Sequence, residues 1–334
     1  MNNNVFDYVL NPDRIAQRPL EKREEARLMV VNRQTGRIEH LIFKDITNLF
    51  SNRDILILNN TRVIPARLYG KKQTGGKVET LLLRNLQPGV WEVLIRGKIK
   101  KGMQILFKGL SAMVIEKNNC GSWNLQFDTE SDEKIFALGR MPIPPYIKRA
   151  DDEKDIVDYQ TVYAEKYGSV AAPTAGLHFT KDILRELENK GVGIIVITLH
   201  IGYASLYIAR GDDKKKQVLP EFFEISKETA DIVNEAINAG KNIVAVGTST
   251  VRALESAIKE NRLYACKKFT DLFIEPGYKF NCITGMITNF HLPGSTHLSM
   301  VCAFGGTELM HKAYMVAIQA GYRFYSYGDA MLIR

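Results

Sequence analysis

Two hydrophobic periods divide the chain. RLMVV (27–31) and RIEHLIF (37–43) are short apolar runs joined by Asn32-Arg33-Gln34-Thr35-Gly36, which predicts two strands and a hairpin-type loop. ILILN (55–59) is apolar without alternation, the pattern of a strand buried on both faces. Between residues 62 and 150 the period stays short. Runs such as KVETLLL, WEVLIRG, MQILF, SAMVIEK and WNLQF are separated by glycines, with turn signals about every ten residues. That predicts a small antiparallel barrel or sandwich. The proline-rich MPIPPYIKR (141–149) closes the block as an extended linker.

After residue 150 the period changes to an alternation of helix and strand. Thr180 is placed to cap KDILRELENKG, with Ile183, Leu184 and Leu187 at helical spacing and Gly191 as the stop. GIIVITLH reads as a strand, Ser226 as the cap of ETADIVNEAINAG, and NIVAVG as a strand that turns at GTST into the helix VRALESAIKENR. DLFIEPG, MITNF and FYSYG read as further strands, and Gly306 to Ala320 as a helix. This alternation predicts an α/β domain with a mostly parallel sheet covered by helices. The β block interrupts it, so the expected domains are 1–60 with 151–334, and an inserted β-barrel at 61–150.

Charge sharpens that division. The net charge is +8, but residues 62–150 hold sixteen basic and seven acidic side chains, and the rest is close to neutral. A basic β module points to an anionic macromolecule, nucleic acid before membrane, because no basic amphipathic helix accompanies it. The N-terminus MNNNVFDYVLNPDR lacks an apolar signal core, and no apolar run is long enough to span a bilayer. Cys120, Cys266, Cys282 and Cys302 are scattered without metal-ligand spacing. They read as reduced thiols, and the expected location is the cytoplasm.

Candidate chemistry gathers at the ends of the expected strands, where open α/β sheets bind ligands. The stretch SVAAPTAGLHFT (169–180) is small and nearly uncharged, and carries one imidazole, His178. Ala175 and Gly176 leave room for a ligand to approach the backbone; the plainer alternative is a tight turn with a packed histidine. His200 ends the strand GIIVITL. GTST offers Thr248 and Ser249 at a helix start. Arg252 and Glu255 share a face of that helix, either for a ligand or as an exposed ion pair. TNFHLPGST brings Asn289 and His291 to a strand end, and YSYGDA brings Tyr327 and Asp329. His178, His200, His291 and Asp329 form a plausible acid/base set. No metal is expected, since no H-x-H or H-x-x-x-H spacing occurs. Nor is there G-x-S-x-G, a P-loop or G-x-G-x-x-G.

Ten stretches in order resemble a known family: FDYVLNPDRIAQRP, LILNNTRVIPARLYG, TGGKVETLLL, YQTVYA, GSVAAPTAGLHFT, TLHIGY, VRALES, TDLFIEPGY, ITNFHLPGST and YRFYSYGDAMLI. The chain is similar to the S-adenosylmethionine:tRNA ribosyltransferase-isomerases of queuosine biosynthesis over nearly its whole length. The resemblance implies an α/β domain interrupted by a small barrel. It also implies transfer and isomerisation of the ribosyl group of S-adenosylmethionine onto the aminomethyl group of a deazaguanine base in a tRNA anticodon. Adenine and methionine are released. S-adenosylmethionine is then a co-substrate and no other cofactor is needed. The expected partner is the tRNA anticodon arm, and the expected state is a monomer.

With that chemistry in view, His178 or His291 is expected to transfer protons and Asp329 to orient. Thr174, Gly176, His200, Thr248, Ser249, Arg252, Glu255 and Asn289 are expected to hold substrate. Arg62, Arg67, Lys71, Lys72 and Lys77 are expected to hold tRNA phosphates. The chain also departs from the family pattern. After TLHIGY it reads ASLYIARGDDKKKQVLPEFFEIS, without two histidines usual there. The usual VGTTSVRALES is VGTSTVRALES, and a usual lysine is Gly294. Two alternatives therefore stand beside the main reading: a divergent paralogue with a non-tRNA acceptor, and a non-catalytic tRNA-binding protein.

Overall fold

A computed structural model describes residues 8–119, 121–203 and 219–334. Cys120, and most of the departing segment at 204–226, lie outside the described residues. Its strands are β1 Arg27–Val31, β2 Ile38–Ile42, β3 Asp54–Asn59, β4 Thr61–Val63, β5 Arg67–Lys72, β6 Lys77–Gln87, β7 Val90–Arg96, β8 Gln104–Leu106, β9 Ser111–Lys117, β10 Trp123–Phe127, β11 Lys166–Ser169, β12 Gly193–Leu199, β13 Glu221–Ile225, β14 Asn242–Val246, β15 Ile258–Lys259, β16 Arg262–Leu263, β17 Cys266–Thr270, β18 Gly285–Asn289 and β19 Ala330–Ile333. The helices are α1 Asp132–Phe136, α2 Asp155–Asp158, α3 Lys181–Asn189, α4 Lys227–Asn238, α5 Thr248–Ala257, α6 Thr296–Gly305 and α7 Thr307–Gln319.

Nine strands form one sheet in the order β17-β13-β12-β3-β14-β18-β19-β1-β2. The strand β3 is central and, as its unbroken apolar run predicts, buried throughout. Ile55 and Ile57 join one core while Leu56 and Leu58 join the core on the opposite face. Removing any one of these side chains to alanine costs about 2–5 kcal/mol. The four adjacent strands β12, β3, β14 and β18 run parallel. Outside that block the sheet is mixed, because β18–β19, β1–β2, β12–β13 and β13–β17 pair antiparallel.

Two expected strands lie elsewhere. FYSYG does not pair as a strand: Tyr325 adopts φ 72°, and the strand is the following AMLI, slotted between β1 and β18. DLFIEPG is likewise irregular, and the edge strand is the preceding CKKFT. Helix signals fared better. Thr180 Oγ1 accepts the amide of Ile183 and Ser226 Oγ accepts that of Thr229, as capping residues do.

The second unit is a closed six-stranded antiparallel barrel, β10-β7-β6-β5-β8-β9. Leu68, Val78, Leu82, Trp91, Val93, Ile105, Val114 and Leu125 fill it. Its connections show why an insertion is tolerated here. The outgoing strand β4 and the returning strand β11 pair side by side in parallel. Gly139 sits so tightly on Pro65 that a Cβ would fall 1.7 Å from the Pro65 carbonyl oxygen. Entry and exit are thus locked together, and the linker between the barrel and β11 is anchored through buried Met141, Ile143 and Ile147.

Candidate active site

The parallel block places four carboxyl ends in a row: His200 after β12, Asn59 at the end of β3, Thr248 and Ser249 after β14, and Asn289 at the end of β18. Hydrogen bonds knit the row together. The Asn59 amide nitrogen donates to the Leu199 carbonyl (2.9 Å) and to Ser249 Oγ (3.2 Å). Its oxygen accepts the amides of Thr61 and Leu199. His200 Nδ1 lies 2.8 Å from Thr61 Oγ1, and Phe222 stacks on its ring. Gly168, at φ 148°, packs so closely on that ring that a Cβ would come within 2.7 Å of Nε2. Burial lowers the His200 pKa, with Glu224 opposing.

Above the row lies the 169–180 stretch. Pro173 leads into a 3-10 helix, Thr174–His178, which packs against β18. The space beside Gly176 is filled rather than open: a Cβ there would lie 1.9 Å from the Tyr163 hydroxyl. Thr174 opens the 3-10 helix and is partly exposed. His178 is buried, with Phe43 across its ring at 5.0 Å and Asn289 Nδ2 at 3.4 Å from Nε2. The Arg23 backbone hydrogen-bonds the ring, and burial, reinforced by the Arg323 charge, pushes its pKa down to about 3. Neutral at pH 7, this imidazole is an acceptor at Nε2.

Asn289 is fixed by its donors. Its Nδ2 reaches the carbonyls of Tyr325 (2.9 Å) and Ser326 (3.4 Å) as well as His178. Since both carbonyls only accept, the amide orientation is determined, and Oδ1 is left buried with no hydrogen-bond partner. It is not alone. Thr161 Oγ1, Tyr163 Oη and Tyr327 Oη are also buried without a partner. All four belong to segments around the 174–178 helix, the β18 end and the 325–329 loop. Buried polar atoms normally find partners, so this cluster is the candidate place for a ligand's hydrogen bonds; Arg67 Nε and Thr80 Oγ1 in the barrel are also without a partner.

His291 stands on the same strand end, with Nε2 2.6 Å from Thr288 Oγ1 and His297 stacked on it at 5.2 Å. Both rings are partly exposed yet densely surrounded. Desolvation holds His291 well below the usual imidazole value and pushes His297 down to about 4, where Arg252 adds to the effect.

Three expected site residues do work inside the fold. Asp329 accepts the amides of Arg27 (3.0 Å) and Arg323 (2.7 Å), tying the 323–329 loop to β1. Arg252 and Glu255 do not pair with each other and are not exposed. Arg252 donates to Glu221, 31 residues away, and to the carbonyls of Thr270 and Leu272. Glu255 accepts the amides of Asn281, Cys282 and Ile283 and the Tyr278 hydroxyl. A buried carboxylate so supplied with donors holds a loop. Glu221 also takes the Gly202 amide (2.7 Å), joining the two sides of 204–218.

The chain matches the family model described as "Queuosine biosynthesis protein" over residues 3–333. It belongs to that family. It is 47% identical to an S-adenosylmethionine:tRNA ribosyltransferase-isomerase of Halothermothrix orenii and 45% identical to one of Thermotoga maritima, each alignment covering 98% of both chains. A third, from Caldanaerobacter subterraneus, is 46% identical with all of both chains covered. A crystal structure titled S-adenosylmethionine tRNA ribosyltransferase, from Thermotoga maritima, matches with a TM-score of 0.60 at 37% identity, covering 99% of this chain and all of that one.

Gly294, one of the departures from the family pattern, stands in the left-handed region at φ 67°, with open space on its Cβ side. The barrel residues expected to hold tRNA divide. Lys71, Lys72 and Lys77 line an open cavity of about 840 Å³ on the barrel; Arg62 and Arg67 do not. Arg62 lies over the Tyr167 ring and Arg67 pairs with Glu79. Sequence reasoning missed Asn59, Thr61, Thr161, Tyr163 and Glu221. The motifs LILNNTRV and YQTVYA contain four of them, but only tertiary folding gives those residues partners.

Proposed function

We propose that this chain transfers and isomerises the ribosyl group of S-adenosylmethionine onto the aminomethyl-deazaguanine base of a tRNA anticodon, forming epoxyqueuosine and releasing adenine and methionine. The observation that carries the reading is the full-length family match joined to a cluster of buried unpartnered polar atoms near a neutral imidazole. The sulfonium acidifies the ribosyl 5′ carbon, so the reaction needs a group that accepts a proton there. It then needs a proton for departing adenine. A neutral His178 meets both needs in turn: Nε2 takes the proton from carbon, and the imidazolium so formed returns it to the adenine ring. The apolar wall that depresses its pKa also makes the imidazolium short-lived, which favours the return. Asn289 Oδ1 and the Tyr163 and Tyr327 hydroxyls supply hydrogen bonds to the uncharged parts of the donor, its base and ribose. The basic barrel holds the tRNA backbone, contacts that position the anticodon without reading it.

The test is release of free adenine and methionine from S-adenosylmethionine by purified protein, with and without tRNA carrying the aminomethyl-deazaguanine base. Stoichiometric release that requires the modified tRNA is the expected result. Binding of that tRNA with no release would leave only a tRNA-binding protein. Release with a small-molecule amine in place of tRNA would point to a different acceptor.

A further inference from the structure

Strand register arranges the outer face of the barrel. Along β5, Leu68 points inward and is buried, while Tyr69 and Lys71 are exposed. Tyr69 stands opposite Glu79, which stands opposite Arg96; Lys71 stands opposite Lys77 on one side and Leu106 on the other. The strand β8 comes unusually close at Gly70, where a Cβ would meet Ile105, the Leu106 carbonyl and Phe107 within 2.9 Å. That close approach folds the face into a groove lined by Tyr69, Lys71, Lys72, Lys77, Arg96 and Lys108. Glu79 is the one carboxylate among its lining residues, and it is shared between Arg67 and Arg96. Tyr69 is 50% exposed, whereas Trp91, Phe107 and Phe127 are in the barrel core.

An exposed aromatic ring set among five cations in a groove is the arrangement that holds a single-stranded nucleotide: the ring stacks on the base and the cations take the flanking phosphates. We infer that this groove takes an unpaired nucleotide of RNA on Tyr69, with Lys71, Lys77, Arg96 and Lys108 on the backbone on either side. The inference rests on the function proposed above and names the surface by which the tRNA is held. Continuity with the candidate active site supports it. Arg140 lies over the Tyr69 ring at 5.8 Å and bridges to Arg67. Arg67 Nη2 reaches the Ile143 carbonyl, and in the same linker the Tyr146 hydroxyl lies 2.6 Å from Ser326 Oγ. A chain of contacts therefore runs from the groove to the 325–329 loop beside Asn289. A paired stem presents no free base face, so the groove discriminates loops from duplex.

The experiment titrates the full chain with an unmodified anticodon stem-loop RNA and with a blunt RNA duplex, over a KCl series, by fluorescence anisotropy. Tyr69→Ala is expected to weaken stem-loop binding about ten-fold, within the range for one lost stacked base. Its salt slope and its duplex affinity stay unchanged. Tyr69→Phe keeps wild-type affinity, since the ring and not the hydroxyl is used. The triple change Lys71→Gln, Lys77→Gln, Lys108→Gln is expected to lower the salt slope by about 2, or roughly 0.7 per phosphate contact on single strands. Unchanged stem-loop binding by Tyr69→Ala overturns the inference, as does equal weakening on duplex. These outcomes are separate from the adenine-release test. Release by the wild type with Tyr69→Ala binding normally would discard the groove and keep the function. Tyr69-dependent binding without release would do the reverse.

Discussion

The carboxyl edge of the parallel block and the outer face of the barrel are opposite kinds of surface. At the edge, His178, Asn289, Tyr163 and Tyr327 are buried or nearly so, uncharged, and partly without hydrogen-bond partners. On the barrel, the basic side chains Lys71, Lys77, Arg96 and Lys108 are exposed around an open cavity. The first gains strength from low dielectric and pays for it in stability. The second works through long-range attraction that salt can screen. On the function proposed above, chemistry is separated from capture, and changes in one region should leave the other's readout alone.

The largest break expected is at His178. Replacing it with alanine or glutamine should lower the rate of adenine release by about 10²–10⁴-fold, the scale of a lost proton-transfer group, with tRNA affinity within two-fold of wild type. Equal loss in both readouts would erase the separation.

Acid should break the edge before the barrel. Burial depresses the pKa of His178 and His297 to about 3 and about 4, and that of His291 well below its usual value. The unfolded chain therefore binds these protons first. Stability from all three is complete above the ordinary imidazole value near 6.5 and is lost as pH falls below it, down to about 3 for His178 and about 4 for His297. Each group contributes a slope of about 1.4 kcal/mol per pH unit in that window. Urea melts between pH 7 and 4.5 check this, and a flat profile would contradict it.

A smaller effect sharpens the geometry of the edge. Gly176→Ala should cost about 1–3 kcal/mol, because its Cβ meets the Tyr163 hydroxyl. Tyr163→Phe alone removes an unpartnered buried hydroxyl and should leave the melting temperature unchanged or raised. Combined, the two should be less damaging than their sum, which a double-mutant cycle measures. The smallest effect is on the barrel. Lys71→Gln should change stability by less than about 0.5 kcal/mol while weakening RNA binding in low salt.

The barrel and the sheet differ also in how openly the sequence displays them. Glycine-punctuated β runs and a local set of sixteen basic residues against seven acidic ones announce a small basic barrel, because turns, short strands and surface charge are local properties. The buried run ILILN and the caps Thr180 and Ser226 are local in the same sense. What failed was long-range. FYSYG has strand-like aromatics, but Tyr325, Ser326 and Tyr327 are used by Tyr146, Asn289 and Tyr159, and the register belongs to AMLI. Arg252 and Glu255 share a helix turn, yet each is satisfied by partners brought in from other elements. Tyr69 shows the same limit on the barrel. Its neighbours in sequence resemble those of a core aromatic, and only the pleat decides that it faces outward.

The separation of capture from chemistry is tested most directly by steady-state adenine release against concentration of the modified tRNA, for two variants side by side. His178→Gln should lower kcat with KM for tRNA unchanged. The triple groove change Lys71→Gln, Lys77→Gln, Lys108→Gln should raise KM for tRNA several-fold in low salt, less so as KCl is increased, with kcat unchanged. If the groove variant lowers kcat at saturating tRNA, or His178→Gln raises KM to the same degree, the two regions act as one site and the account is wrong.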